Sequence, residues 1–319
     1  MSYAIEQKWI GLAKEGTRGS AVLPPTKYIA VAPDSEADYK ETPIEDENVR
    51  GMFERFGPQA GIKDGSGKLT GIDIQSDNIG EILNSLLGKV TTTTPTTGVY
   101  SHAFQRDPSS ISLPSYTIAV QRGISAKAYN LSCVKTIALN GAVDGKVKGD
   151  IDFIFQTENS YPTPTTPTWA SPTPFMFFQS AIKLAGSPST VVKDWSLTID
   201  NQSFAQRTLN QSQDIKDILA IGKILISGGF NIYMEDEVER AKFLANTASS
   251  LQVTMTGAEI GSSGVHNVLD ILIPEIHYTA YPFGNLDGLI GCAVAFNAYY
   301  NIASGKSMLI TLVNSEVGY

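Results

Sequence analysis

A chain of 319 residues has room for two domains at roughly 100–200 residues each. Its composition, 42% hydrophobic and 18% charged, excludes a disordered chain, which would carry fewer apolar residues and denser charge. The formal charge of −8 argues against a general nucleic-acid binder, which would present a basic patch or stripe. It leaves room for a surface that DNA passes without sticking.

The opening, MSYAIEQKWIG, has no apolar core of signal-peptide length and no cleavage site. No run reaches the ~18 uninterrupted apolar residues of a membrane span. The expectation is synthesis as a soluble protein in a cytoplasm. The two cysteines, Cys133 and Cys292, stand in apolar or β-branched surroundings and read as free core thiols.

In chain order, residues 25–32 (PTKYIAVA) read as a strand. Residues 33–67 form a long polar segment, and a loop of that length is usually functional or engaged in contacts. A second strand is expected at 68–75. Asp77 or Asn78 can then cap a helix with Ile79, Ile82, Leu83, Leu86 and Leu87 on one face, ended by Gly88. The Thr/Pro run from Thr91 to Thr97 reads as a loop. Residues 115–123 read as a strand, and 133–156 as strand, Gly-containing turn and strand. Five prolines interleave with Thr and Ser in residues 157–174, which reads as an extended linker.

Beyond the linker the order repeats. Residues 192–200 take the place of 25–32, and residues 223–234 the place of 68–75. A looser helical spacing follows Asp236 through Val238, Ala241, Leu244, Ala245 and Ala248. Residues 250–257 match 115–123, and the hairpin 273–297 matches 133–156. Both second strands carry a glycine and end in aromatics: Gly149 with Phe153 and Phe155, Gly291 with Phe296 and Tyr299. The reading is of a mainly β (β+α) protein with two tandem modules, 1–156 and 175–319, each a β-sandwich or partly closed barrel flanked by one short helix. Two unrelated β-rich domains sharing a common arrangement are the alternative.

Catalytic and ligand-binding patterns are sparse. Gly305-Lys306-Ser307 resembles the end of a phosphate-binding loop, but the frame needs a glycine at position 300, which is Tyr, and a strand follows instead of a helix. His102, His266 and His277 are not spaced with one another or with Cys or carboxylates as metal ligands. No G-x-S-x-G elbow is present. The clusters Glu45-Asp46-Glu47 and Glu235-Asp236-Glu237 read as solvated loops or helix starts. No catalytic residue, metal or cofactor is expected.

The segment WIGLAKEGTRGSAVLPPTKYIAVA, then Arg50-Gly51, Gly65 to Gly71, the helix ending Leu86-Leu87-Gly88, His102 with Phe104, and Leu113 to Thr117 follow one another in an order that resembles the tail tube proteins of long-tailed bacteriophages. The resemblance is best over residues 9–156 and rests on that order. It implies modules that join through their sheets into rings around a channel, with rings stacking through long loops into a tube that conducts DNA. It also implies the tape measure protein and neighbouring tail proteins as partners. Two modules per chain would make a trimer pseudo-sixfold; a hexamer with the second module outside stays open. In the hairpin 133–156, Ile151, Phe153 and Phe155 are expected to face the core, and Lys148, Asp150 and Asp152 the lumen or plain solvent. Glu45, Asp46, Arg50, Phe53, Arg55 and Phe56 are expected at the contact between rings. A decoration protein, a tail terminator, a carbohydrate-binding adhesin (from Tyr161 and Trp169) and an enzyme are the alternatives.

Overall fold

The computed structural model describes residues 7–123, 125–169 and 173–319. The first half contains β1 (Trp9–Lys14), β2 (Lys27–Ile29), β3 (Glu36–Ile44), β4 (Gln59–Asp73), α1 (Ile79–Leu87), β5 (Gly88–Thr96), β6 (Val99–Arg106), β7 (Tyr116–Gln121), β8 (Ala126–Ala142), β9 (Lys148–Phe155) and β10 (Thr157–Tyr161). The second contains β11 (Ser180–Leu184), β12 (Ser187–Ser189), β13 (Val192–Asp200), β14 (Ser203–Gln206), β15 (Asp217–Ala220), β16 (Leu225–Tyr233), α2 (Val238–Leu244), β17 (Ser249–Glu259), β18 (His266–Ala280), β19 (Phe283–Leu286), β20 (Leu289–Ala298) and β21 (Leu309–Asn314). The fold is mainly β, built of large antiparallel sheets that do not close into a barrel.

The period-two pattern is clearest in β9. Gly149, Ile151, Phe153 and Phe155 are buried, whereas Lys148 and Asp152 are exposed. The strand β8 serves two sheets. Its first part pairs with β7 and β10, and its second part with β9 and β13. The change comes at Leu131, whose φ is +51°; its N–H leaves the ladder and donates to the buried Glu15 carboxylate at 2.8 Å. The helix α1 buries Ile79, Ile82, Leu83, Leu86 and Leu87, and ends at Gly88, where φ is +84°. Asn78 stands at its N-cap, but its side chain accepts from Gln75 N–H and donates to Asp73 C=O rather than capping the helix.

Strand pairings recur between the halves. β1 pairs with β2 and β7, as β11 pairs with β12 and β17. β4 lies between β3 and β9, as β16 lies between β13 and β20. β8 pairs with β7, β9 and β10, as β18 pairs with β17, β20 and β21. One packing detail recurs with them. A Cβ at Gly65 would lie 2.4 Å from the Phe155 ring, and one at Gly228 would lie 2.7 Å from the Phe296 ring, so both positions admit only glycine under an aromatic cover.

Several expectations need correction. Residues 192–200 stand in the place of β3, not of 25–32, because β2 pairs with β1 alone while β13 pairs with β16. The Thr91–Thr97 run is mostly strand β5, an exposed edge where β-branched threonines fit the pleat. The linker loses its first residues to β10. Residues 33–67 are largely the β3–β4 hairpin, leaving an irregular loop at 45–58. The helix α2 forms but buries none of its residues, with Val238 and Leu244 exposed.

The halves are fused in two places. β13 pairs with β8 from Asp194↔Ala142 to Asp200↔Thr136, and β21 pairs with β6 from Ile310↔Phe104 to Asn314↔Tyr100. A single apolar cluster runs through both, from Ile10 and Phe153 to Phe296 and Ile310. At the second seam His102 is fully buried. Its Nε2 faces two acceptors, Glu316 C=O at 2.9 Å and Asn314 Oδ1 at 3.2 Å, so it donates there; Nδ1 then accepts from the Thr92 hydroxyl at 2.9 Å. The Tyr319 ring closes the site edge-on at 4.7 Å. Burial pushes the imidazole below its ordinary value of 6.5, against the opposing pull of the Glu316 and Asn314 hydrogen bonds. The unfolded chain therefore takes up a proton that the folded chain resists, and stability falls as pH drops through about 6.5. Thermal unfolding between about pH 7 and 5 should show the wild type losing stability faster than His102→Gln; parallel profiles would contradict this account.

Candidate assembly surfaces

Because β13 continues the sheet of β8, the solvent face of that sheet spans both halves. Its residues line up in rows. Lys68, Asp152, Thr136 and Asp200 are successive neighbours across β4, β9, β8 and β13. Asp150, Ala138, Thr198, Ser227 and Asn297 form the next row, reaching β20. Lys148, Asn140, Ser196, Gly229 and Ala295 form the third. The three rows hold small and polar side chains and no aromatic ring. Lys68 approaches Asp150 at 4.0 Å, and Asp150 also accepts from Gly71 N–H at 2.8 Å. The sequence-predicted set Lys148, Asp150 and Asp152 thus lies on one polar face, opposite the buried Ile151, Phe153 and Phe155.

This sheet has two open ends. Among the described residues β3 pairs with β4 alone, so its other edge is unpaired. At the far end β18 runs beyond Ile276, its last residue opposite β17, and β19 pairs only with β20. Unpaired N–H and C=O groups along such edges invite pairing with another chain.

The β3–β4 hairpin projects past the end of the sheet. Its loop carries Val49 and Phe53 at 96% and 106% exposure, with Met52 and Phe56 half exposed. The loop is ordered by its own charges: Arg55 meets Glu45 at 2.9 Å, Arg50 meets Asp46 at 2.5 Å, and the Arg50 guanidinium lies 4.5 Å over the Phe56 ring. Glu45, Asp46, Arg50, Arg55 and Phe56 are therefore in one cluster, with Phe53 pointing free beside them.

Residues 201–222 carry the feature that sequence reasoning missed. The β14–β15 hairpin reaches back over the first half, burying Ile215 and Ile218 against Leu131 and Cys133. Arg18 pairs with Asp217 at 2.5 Å, and Gln156 donates to Ile215 C=O at 2.7 Å. Its tip braces the projecting arm. Lys63 N–H donates to Gln213 C=O at 3.0 Å, Gln213 Nε2 donates to Gly61 C=O at 2.8 Å, and Arg207 donates to Lys63 C=O at 2.7 Å. Tyr39 donates to Asp214, and burial together with that carboxylate holds its phenol above the ordinary range. No motif marks this contact; the mixed apolar and polar spacing of Ile215, Asp217 and Ile218 was its only trace.

Catalytic and ligand-binding chemistry finds little support among the described residues. Both cysteines are free and buried, and burial pushes the Cys133 thiol up to about 12, far from a reactive thiolate. No group of three or more His, Cys, Asp and Glu side chains is placed to hold a metal. Gly305-Lys306 lies in a turn closed by the Asn301–Lys306 bridge. Among the described residues no helix is long and apolar enough to cross a membrane.

No curated protein matches the chain. The family model described as phage tail tube protein matches residues 8–298, nearly the whole chain and both halves of the repeated topology. That family is one of structural proteins of the virion tail. A β protein with open sheet edges, a projecting apolar loop and a largely polar sheet face is a subunit built to assemble, and the chain belongs to the phage tail tube protein family.

Proposed function

We propose that the chain comprises two tandem tube modules, residues 1–156 and 175–319, joined by the 157–174 segment, and that three chains close a pseudo-sixfold ring. The recurrence of the strand pairings supports the two modules. The observation that carries the ring is the β8–β13 joint. There the first strand of the second module's sheet completes the edge of the first module. The same roles at the outer ends fall to β3 of one chain and the β18–β19 edge of the next. Repeating the joint between chains leaves no unpaired edge once the ring closes. A hexamer with the second module outside fits less well, because the second sheet lies beside the first and extends it.

In this ring the polar rows face the lumen, with Lys148, Asp150 and Asp152 among them. Its three carboxylates, Asp150, Asp152 and Asp200, outnumber Lys68 and Lys148 and repel phosphates, and the rows' lack of aromatics offers bases nothing to stack on. The DNA passes without sequence-specific binding. Before ejection the tape measure protein occupies the channel, and other tail proteins cap the tube. The loop bearing Glu45, Asp46, Arg50, Phe53, Arg55 and Phe56 contacts the next ring, its direction fixed by the β14–β15 brace.

Replacing residues 45–58 by a short turn should leave a soluble protein with unchanged melting temperature that forms rings but no tubes, as seen by negative-stain microscopy. Normal tubes from that variant would remove the stacking role. On the lumen, Asp152→Lys in intact particles should slow DNA ejection and steepen its salt dependence, since each lysine adds a phosphate contact. Ejection at the wild-type rate would contradict a lumenal position.

A further inference from the structure

The loop at 45–58 needs a receptor, and the structure offers one at the opposite end of the same strands. The β8–β9 turn stands at the far end of β4, since Lys148 lies opposite Asp73, whereas the loop leaves β4 at Gln59. At about 3.3 Å per residue these ends lie some 50 Å apart along the strand. Beside that turn, in the seam between the modules, is an open groove of about 270 Å³. Val143, Phe178, Ile182, Val192 and Trp195 line it. Phe178 and Val143 are exposed at 69% and 48%, and the Phe177 and Phe178 rings meet edge-to-face at 5.7 Å. Lys193, paired with Asp287 at 2.6 Å, forms part of its wall, and Lys146, paired with Asp73 at 2.6 Å, stands at the turn, so the groove is walled by neutralised ion pairs.

We propose that this groove binds the 45–58 loop of a second copy of the chain in the adjacent ring. The inference rests on the tube reading and identifies the other half of its stacking contact. Three features commit it to that occupant. The loop and the groove are exposed apolar surfaces at opposite ends of one sheet. The groove is continuous with the β8–β13 joint that holds the sheet together. Each chain carries one such loop and one such seam, so every loop finds a groove. A contact joining unlike surfaces at opposite ends repeats by translation without closing, which is the geometry of a filament.

The test is a cysteine pair, Phe53→Cys with Phe178→Cys, in a chain whose two native thiols are buried. Tubes of this variant, oxidised and run on a non-reducing gel, are expected to give a ladder of covalent multimers that dissociated protein does not give. The control pair, Phe53→Cys with Leu209→Cys, places both thiols at the loop end and is expected to give none. Equal ladders from both pairs, or none from the first in well-formed tubes, would overturn the proposal. Phe178→Ser alone covers failure of the double variant to assemble. It alters an exposed side chain, so rings and melting temperature should persist while tube yield drops about tenfold. An unchanged yield would overturn the proposal as well. Failure of the unsubstituted chain to form any tube would instead sink the tube reading itself.

Discussion

The structure depends on the antiparallel pairing of β13 with the second part of β8. Without it β8 and β13 would each be an open edge in the middle of the molecule, and the halves would be held by the β6–β21 ladder and the β14–β15 hairpin alone. With it, one sheet crosses the chain, the core becomes continuous, and the open edges are moved to the outer ends of the molecule. Trp195 shows how closely the seam is fitted. It is buried, and its indole covers Gly141 so tightly that a Cβ there would lie 2.6 Å from the indole nitrogen. The β6–β21 ladder, the Tyr319 cover over His102 and the β14–β15 brace all hold this one arrangement from the other side.

Much of this was legible in the residues. The alternation of Ile151, Phe153 and Phe155 with Lys148, Asp150 and Asp152 set both the core side and the polar side of β9. The spacing from Ile79 to Leu87, stopped by Gly88, placed α1 to the residue. The repeated hairpins pointed to the strand pairings that recur between the halves. What escaped has physical reasons. Thr91 to Thr96 is polar enough to read as loop, yet threonine is β-branched and an edge strand needs no apolar face. The β3–β4 arm alternates poorly because its outer part is held by hydrogen bonds from the β14–β15 hairpin rather than by an apolar core, so there is no core for periodicity to report. The helix α2 has the spacing of an amphipathic helix, but only Phe243 packs on the core, against Tyr281, while Val238, Ala241 and Leu244 remain exposed. The brace of Gln213, Asp214 and Arg207 joins positions far apart in sequence through backbone carbonyls, which leave no pattern in side chains.

The candidate site followed the same division. The polar set of β9 and the loop set came from local patterns, and each lies on one surface of the fold. The open edges could not be read, because an edge is defined by what fails to pair in three dimensions. In an isolated protein such edges are hazards. In the proposed ring they become the rule of assembly.

The central claim is that the edge of β3 and the edge of β18 and β19 are completed by neighbouring copies in the manner of β8 and β13. Amide hydrogen exchange on assembled tubes and on dissociated protein tests it most directly. The account predicts that the outward amides of residues 36–42 and 277–286 exchange freely in the dissociated chain and become protected in tubes to the level of β8 and β13. If both segments exchange as fast in tubes as in the dissociated protein, while β8 and β13 stay protected, the chains do not join through these edges.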